Sequence, residues 1–396
     1  PDQTTRPIDR IWVKRYVPNI TLEHNVSEDT LVVAKGWAGY QDRFSRRQDG
    51  AGTRTDLDRQ EFYFAGADLR VRHFWNAWEE DHALTAGFTA YGASSPRDRE
   101  RNAGVTTATE GAQQFDLDRH TLYGALFAEN KFQYQRLAIV PAVRFEFIEM
   151  QVEENANLGK TLRTEDFSRV VPLGALGLDY DLGGQNSVYA NISQGYRPPK
   201  YDDLVNPTRG PVSQGGAPDE GEVLNYEIGL RGTPTPWLQY DSSLFLVDWD
   251  GVVETSVVGP DEIRTNSGRA RYLGWETAAE VDVVTLMDEL RDTDHAERFG
   301  RFSLFANLSL LDAEFTSGPR DGNTPSYAPD YLLKGGFIYR LQDRLKFALT
   351  GLWVDEHFWQ DGNGAGSVGT ATIPSYTVWD LTAEARVFRD NVTVVA

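Results

Sequence analysis

Thr377-Val-Trp-Asp-Leu-Thr-Ala-Glu-Ala-Arg-Val387 sets Trp379, Leu381, Ala383, Ala385 and Val387 against Asp380, Thr382, Glu384 and Arg386. Side chains along an extended chain point alternately to opposite sides, so this stretch reads as a strand with one apolar and one wet face. The pattern recurs upstream. Between 302 and 310, Phe302, Leu304, Ala306, Leu308 and Leu310 oppose Ser303, Asn307 and Ser309, with Phe305 the exception. Between 224 and 231, Tyr226, Ile228 and Leu230 oppose Asn225, Glu227, Gly229 and Arg231, and the split at 273–283 isolates Glu276, Glu280 and Asp282. About sixteen strands can be traced this way, most cleanly from the middle of the chain onward.

Alternation alone fits a soluble sandwich as well as a membrane barrel, so composition and connections must separate them. Lys and Arg total 39 and Asp and Glu 59, and the resulting net charge of −20 would repel a phosphate backbone, which excludes nucleic acid as a partner. There is no Cys, and the six His lack metal-ligand spacing, so no zinc, thiol or other cofactor chemistry is expected. No apolar run reaches the ~18 residues of a spanning helix, a test that does not touch barrels, whose strands need only about 9 to 11 residues. Ten Trp, 17 Tyr and 20 Phe suit interfacial girdles but also a carbohydrate-binding surface.

The connections favour the barrel over a soluble all-β fold. Short ones fall near 27–29, 75–81, 133–135, 182–186, 233–236, 342–344 and 389–390. They alternate with long segments at 44–60, 92–118, 149–168, 195–223, 255–269, 317–330 and 359–374. A transmembrane barrel with tight periplasmic turns and long extracellular loops has this parity, whereas a Greek-key sandwich has no reason to keep it. The acidic link at 286–300 is the exception, a strand extension or a helical turn at the short-turn end.

Six segments in order resemble the barrel of TonB-dependent outer-membrane receptors, most closely the ferric dicitrate receptor branch. Asn191-Ile-Ser-Gln-Gly-Tyr-Arg-Pro-Pro199 looks like the family's strand leaving into an extracellular loop. Glu222-Val-Leu-Asn-Tyr-Glu-Ile-Gly-Leu-Arg231 resembles the return strand, and Leu244-Phe-Leu-Val-Asp-Trp-Asp-Gly251 the next. Asn266-Ser-Gly-Arg-Ala-Arg-Tyr-Leu-Gly-Trp-Glu276, Ala328-Pro-Asp-Tyr-Leu-Leu-Lys-Gly-Gly336 and Ile373-Pro-Ser-Tyr-Thr-Val-Trp-Asp-Leu381 follow in the family's order. The resemblance implies an all-β antiparallel transmembrane barrel. With about sixteen strands, residues 1–396 would be a piece of a barrel of about 22 strands, the plug domain, TonB box and C-terminal closing strand lying outside it. It further implies energy-coupled uptake of a ferric chelate, ferric citrate or another siderophore, across a Gram-negative outer membrane. The partners would be outer-membrane lipid and TonB-ExbB-ExbD, reached through the plug, and no enzymatic activity is expected. A passive sixteen-stranded porin and a soluble all-β carbohydrate-active enzyme are the competing classes.

An oxygen-rich anionic chelate calls for bidentate donors, and Arg outnumbers Lys 32 to 7. Candidate ligand residues in the expected long loops are Arg46 and Arg47, Arg97 and Arg99, Arg163, Arg197 and Arg209, with Tyr196 and Tyr201 as aromatic contacts at the loop mouth. Arg163, in Thr161-Leu-Arg-Thr-Glu-Asp-Phe167, is favoured because that segment resembles the ferric dicitrate branch. Gly364-Ala-Gly-Ser-Val-Gly369 matches a dinucleotide fingerprint but leads into a strand, not a helix, so it reads as a loop. Asp248 and Asp250, two apart on a strand, share one face and do not flank a sugar as glycosidase carboxylates would.

Overall fold

The alternating stretches pair in chain order into one antiparallel sheet. The computed structural model describes residues 6–207, 218–258, 261–342, 344–364, 372–387 and 392–395. Its first strands are β1 (Arg10–Tyr16), β2 (Asn19–Ser27), β3 (Thr30–Gln48), β4 (Arg54–Ala77), β5 (Glu80–Ser94), β6 (Arg97–Ala103), β7 (Ala112–Tyr134), β8 (Leu137–Asn157), β9 (Thr164–Gly183) and β10 (Asn186–Arg197). After a short helix α1 (Tyr201–Leu204) come β11 (Gly221–Thr235), β12 (Leu238–Val258) and β13 (Asp261–Asp282), then helices α2 (Val283–Arg291) and α3 (His295–Phe299). The chain continues through β14 (Arg301–Ser317), β15 (Tyr331–Leu341), β16 (Leu345–Val354), a two-residue hairpin β17 (His357–Phe358) and β18 (Thr372–Ile373), β19 (Tyr376–Val387) and β20 (Val392–Val395).

Prolines break two strands without shifting register. β1 and β2 both pair with β3, Tyr16 opposite Tyr40 and Asn19 opposite Trp37, and Pro18, which has no N–H, accepts from the Ala38 amide instead. β5 and β6 are likewise one strand against β4, interrupted at Ser95 and Pro96. Counted so, the 18-stranded sheet has sixteen strand positions. Among the described residues it stays open, with β1 and β2 paired only to β3 at one edge and β20 only to β19 at the other.

One face of the sheet carries exposed apolar side chains on most of its strands, among them Leu126, Phe145, Leu178, Ile228, Leu244, Leu304 and Leu381. Such a band on a solvent-exposed surface is the lipid face of a barrel wall. Toward the long-loop end it stops near Tyr63, Leu122, Phe147 and Val170. The opposite face carries charges, and several of them are paired. Glu227 accepts from Tyr189 and Asn191, Glu280 from Arg340, and Glu384 from Lys346.

The tight turns at one end match the reading of the sequence, apart from 389–390, which lies outside the described residues. The acidic exception after β13 is helical, as α2 and α3. At the other end the structure corrects the expectation of long loops. Much of 44–60, 92–118 and 149–168 is strand, so β4, β7 and β8 run to 24, 23 and 21 residues and stand well above the apolar band. Above the band the lipid-facing alternation stops; Leu117, Met150 and Val152 turn apolar side chains to the inner face instead, and cross-strand charge pairs such as Asp58 with Arg99 add to the hold.

Candidate functional site

Period two also builds the site. Arg97, Arg99 and Arg101 of β6 share one face, and the register sets them opposite Gln60, Asp58 and Asp56 of β4. Asp58 accepts from both neighbours. Arg97 Nε and Nη2 lie 3.2 and 2.9 Å from its two oxygens, and Arg99 Nη2 lies 2.6 Å away. Both guanidinium groups stack over the Phe115 ring, at 5.4 and 5.0 Å from its centroid. Burial works to raise the Asp58 carboxyl pKa, but the two guanidiniums outweigh it and hold the group below the usual carboxylate range. Arg97 is held above its ordinary value, because Asp58 and Asp202 overcome its burial. Asp58 and Asp202 together match the charge of Arg97 and Arg99, so the positive excess of the recess comes from the cations around this pair.

The loop after β10 folds inward over this group. Pro198 and Pro199 end the strand, then α1 places Leu204 and Val205 against Phe115, Leu117, Ile148, Met150, Val152 and Phe167, an apolar cluster on the inner face of β7 to β9. On α1, Asp202 meets Arg97 Nη1 at 3.2 Å, and Tyr201 lies under Arg119, 5.1 Å from its ring centroid. Arg119 is buried, donating to the Ser95 carbonyl at 2.7 Å and its hydroxyl at 2.9 Å. Burial and the adjacent Arg97 hold its pKa below the ordinary arginine value.

These parts enclose a cavity of about 370 Å³ on the inner side of the wall, above the apolar band. Arg43, Arg47, Arg97, Arg99, Arg119 and Lys200 line it, against the carboxylates of Asp58 and Asp202. Six cations against two anions leave the recess with an excess of positive charge, an arrangement suited to anionic oxygens. A second cavity, of about 350 Å³, is acidic, with Glu222, Asp248 and Asp250 beside Tyr196 and Arg269. There Asp250 is paired to Arg269 at 2.7 Å.

Of the residues expected to bind ligand, Arg47, Arg97, Arg99 and Tyr201 come together at the first cavity. Three sit on strands, not in loops. Arg46 is a correction. Adjacent to Arg47 on β3, it points to the other face, donating to the carbonyls of Ile8 and Thr107 and stacking on Trp12. Arg163 lies at the end of the link 158–163 and does not line the cavity. Tyr196 donates to Glu146 at 2.7 Å, and Arg197 stacks over Trp249 at 5.5 Å, so both serve the wall and its neighbours. Arg209, and 365–369 of the glycine-rich stretch, lie outside the described residues. Arg43, Arg119, Lys200 and Asp58 were not singled out from the sequence, although the spacing Arg43-x-Ser-x-Arg47 and the facing runs 56–60 and 97–101 carry the period that unites them.

Solved structures share this fold. The ferric citrate transporter FecA in its unliganded form superposes with a TM-score of 0.79 at 20% identity, over 97% of this chain and 56% of that one. The siderophore receptor PiuA from Acinetobacter baumannii gives 0.76 at 12% identity, over 96% and 59%. The ferric yersiniabactin uptake receptor FyuA from Yersinia pestis gives 0.74 at 17% identity, over 97% and 56%. The chain therefore spans a little over half the length of these receptors. No match is found among curated protein sequences. A family model for the TonB dependent receptor-like β-barrel matches residues 2–396, and with its strand order and apolar outer face the chain belongs to the TonB-dependent receptors.

Proposed function

We propose that this chain forms the ligand-facing wall of an outer-membrane receptor for energy-coupled uptake of a ferric chelate, ferric citrate or another siderophore. The observation that carries this reading is the cationic cavity on the inner side of the wall, above the level of lipid. Guanidinium groups bind carboxylate oxygens in pairs, and Arg97 already does so toward both oxygens of Asp58, with Arg99 on one of them, as it would toward a citrate carboxylate. A chelate entering from outside meets Arg43, Arg47 and Arg119 together with this pair. It gains several charge-assisted hydrogen bonds, each contributing on the order of 1.5 to 3 kcal/mol. The apolar outer band and the family support a wall set in outer-membrane lipid of a Gram-negative cell. Residues 1–396 act as part of a larger barrel, and TonB with ExbB and ExbD supplies energy through a plug domain. The wall offers binding and positioning, not bond-making chemistry.

The test is titration of the intact receptor in detergent with ferric citrate, followed by tryptophan fluorescence. Saturable quenching is expected, weakened at least about tenfold by combined Arg43→Ala and Arg47→Ala substitution. Unchanged affinity in that variant would remove the cavity from ligand binding.

A further inference from the structure

The link between β13 and β14 stands apart from the two-residue turns at 184–185 and 236–237 on the same end, because it folds into α2 and α3. Two carboxylates fix it. Asp282 caps α2 by accepting from the Thr285 amide at 3.1 Å and hydroxyl at 2.6 Å. Asp288 ties α2 to α3, accepting from the Thr293 hydroxyl at 2.6 Å and the Ala296 amide at 2.7 Å, with His295 Nδ1 2.9 Å away. Gly300, at φ 89°, then lets the chain turn against the Arg340 carbonyl, which a Cβ would strike.

The insert is therefore ordered, yet its apolar residues are uncovered. Val283, Leu286, Met287 and Leu290 recur at helical spacing, with Leu290 75% exposed and Met287 48%, and Phe299 at the end of α3 is 55% exposed. Its position says what covers them. Tyr339 donates to the Phe299 carbonyl at 2.6 Å. Tyr339 shares its face of β15 with Phe337, which stacks between Phe302 and Phe347 and lies opposite Leu304. This is the outward, apolar face of the wall. The lumen face of the same strands is marked by the Arg340–Glu280 pair. The uncovered stripe thus continues the lipid-facing surface past the end of the strands, where aromatic and amphipathic groups settle at a membrane interface.

We infer that residues 283–300 form an interfacial anchor on phospholipid. Met287, Leu290 and Phe299 enter the leaflet on the short-turn side, while Glu289, Asp292, Asp294 and Glu297 face water. The inference rests on the reading of this wall as membrane-embedded. Residues 1–396 hold no cysteine, so each single-cysteine variant adds one label site to this wall, read against the unsubstituted receptor labelled in parallel. The intact receptor carrying Leu290→Cys, Glu289→Cys or Leu304→Cys is spin-labelled in vesicles of phosphatidylethanolamine and phosphatidylglycerol. Accessibility to oxygen is then compared with accessibility to a water-soluble nickel chelate. The label at 290 should favour oxygen several-fold over the nickel chelate, as at 304 in the lipid band, and the label at 289 should show the reverse. A label at 290 that matches 289 while 304 stays lipid-exposed would overturn the anchor. A label at 304 open to the nickel chelate would overturn the membrane wall itself.

Discussion

Arg46 and Arg47 are neighbours in sequence and face opposite sides of β3, one stacked on Trp12, the other at the cationic cavity. Arg47→Ala should weaken ferric citrate binding about tenfold, the ~1.4 kcal/mol of one modest charge-assisted contact, whereas Arg46→Ala should leave affinity within about twofold. Parallel fluorescence titrations check this, and equal losses would contradict the face assignment. Asp98 offers a second test at this scale. It points away from the cavity, between Arg59 and Asp116 across the ladder, and its pKa is pushed up to about 6 by burial and then by the charges of Glu100, Asp116 and Asp58, with Arg59 opposing. A carboxyl that protonates more readily in the folded state stabilises the fold as pH falls through about 6 toward its ordinary value near 3.8. Asp98→Asn should therefore stabilise the protein above pH 6 by about 1 kcal/mol, after discounting for solvent screening. It should also flatten that part of the pH dependence. Urea unfolding at pH 5 and pH 7.5 measures both, and an unchanged pH profile would contradict the assignment.

At the scale of elements, aromatic rings on the inner face lie over glycines of the adjacent strand. Phe245 covers Gly274, and a Cβ there would sit 2.2 Å from the ring, while Tyr189 covers Gly229 in the same way. Gly274→Val should push Phe245 off its strand and destabilise the barrel by about 1 to 3 kcal/mol, seen as a lower midpoint in urea. The turn at Trp78 and Glu79 makes the opposite prediction. Both residues have positive φ, 54° and 64°, in a two-residue hairpin that favours glycine at its second position. Glu79→Gly should raise stability by up to about 1 kcal/mol in the same assay, since removing left-handed strain there exceeds the added unfolded-state entropy. The elements below the apolar boundary were legible because lipid on one side and water on the other impose alternation. The strand extensions above it were not, because 43–48 and 54–60 are polar apart from Phe44 and Leu57, too few apolar residues to show a period among the charges. The site was half legible for the same reason. An excess of arginine pointed to it, but choosing Arg47 over Arg46, or finding Arg119, requires the register that sets Asp58 against Arg99 and the inward fold of α1 over β7 to β9.

At the scale of the molecule, sixteen strand positions form one wall with lipid-facing apolar residues outside and paired charges inside. The charge is unevenly spread. Arginines gather where β3, β4, β6 and β7 rise above the band, and carboxylates gather at β11 and β12. Under the proposed function, this asymmetry would draw an anionic chelate to one side of the lumen in spite of the net charge of −20. The family resemblance rested on six segments in order between 191 and 381, whereas substrate choice would turn on a few side chains. The most direct test follows radiolabelled iron supplied as ferric citrate to iron-starved cells whose uptake depends on the intact receptor, with and without a protonophore. Accumulation is predicted to collapse when the proton gradient is dissipated, and to fall about tenfold in the Arg43→Ala and Arg47→Ala variant. Accumulation that continues unchanged with protonophore would make the wall a passive pore and contradict energy-coupled uptake.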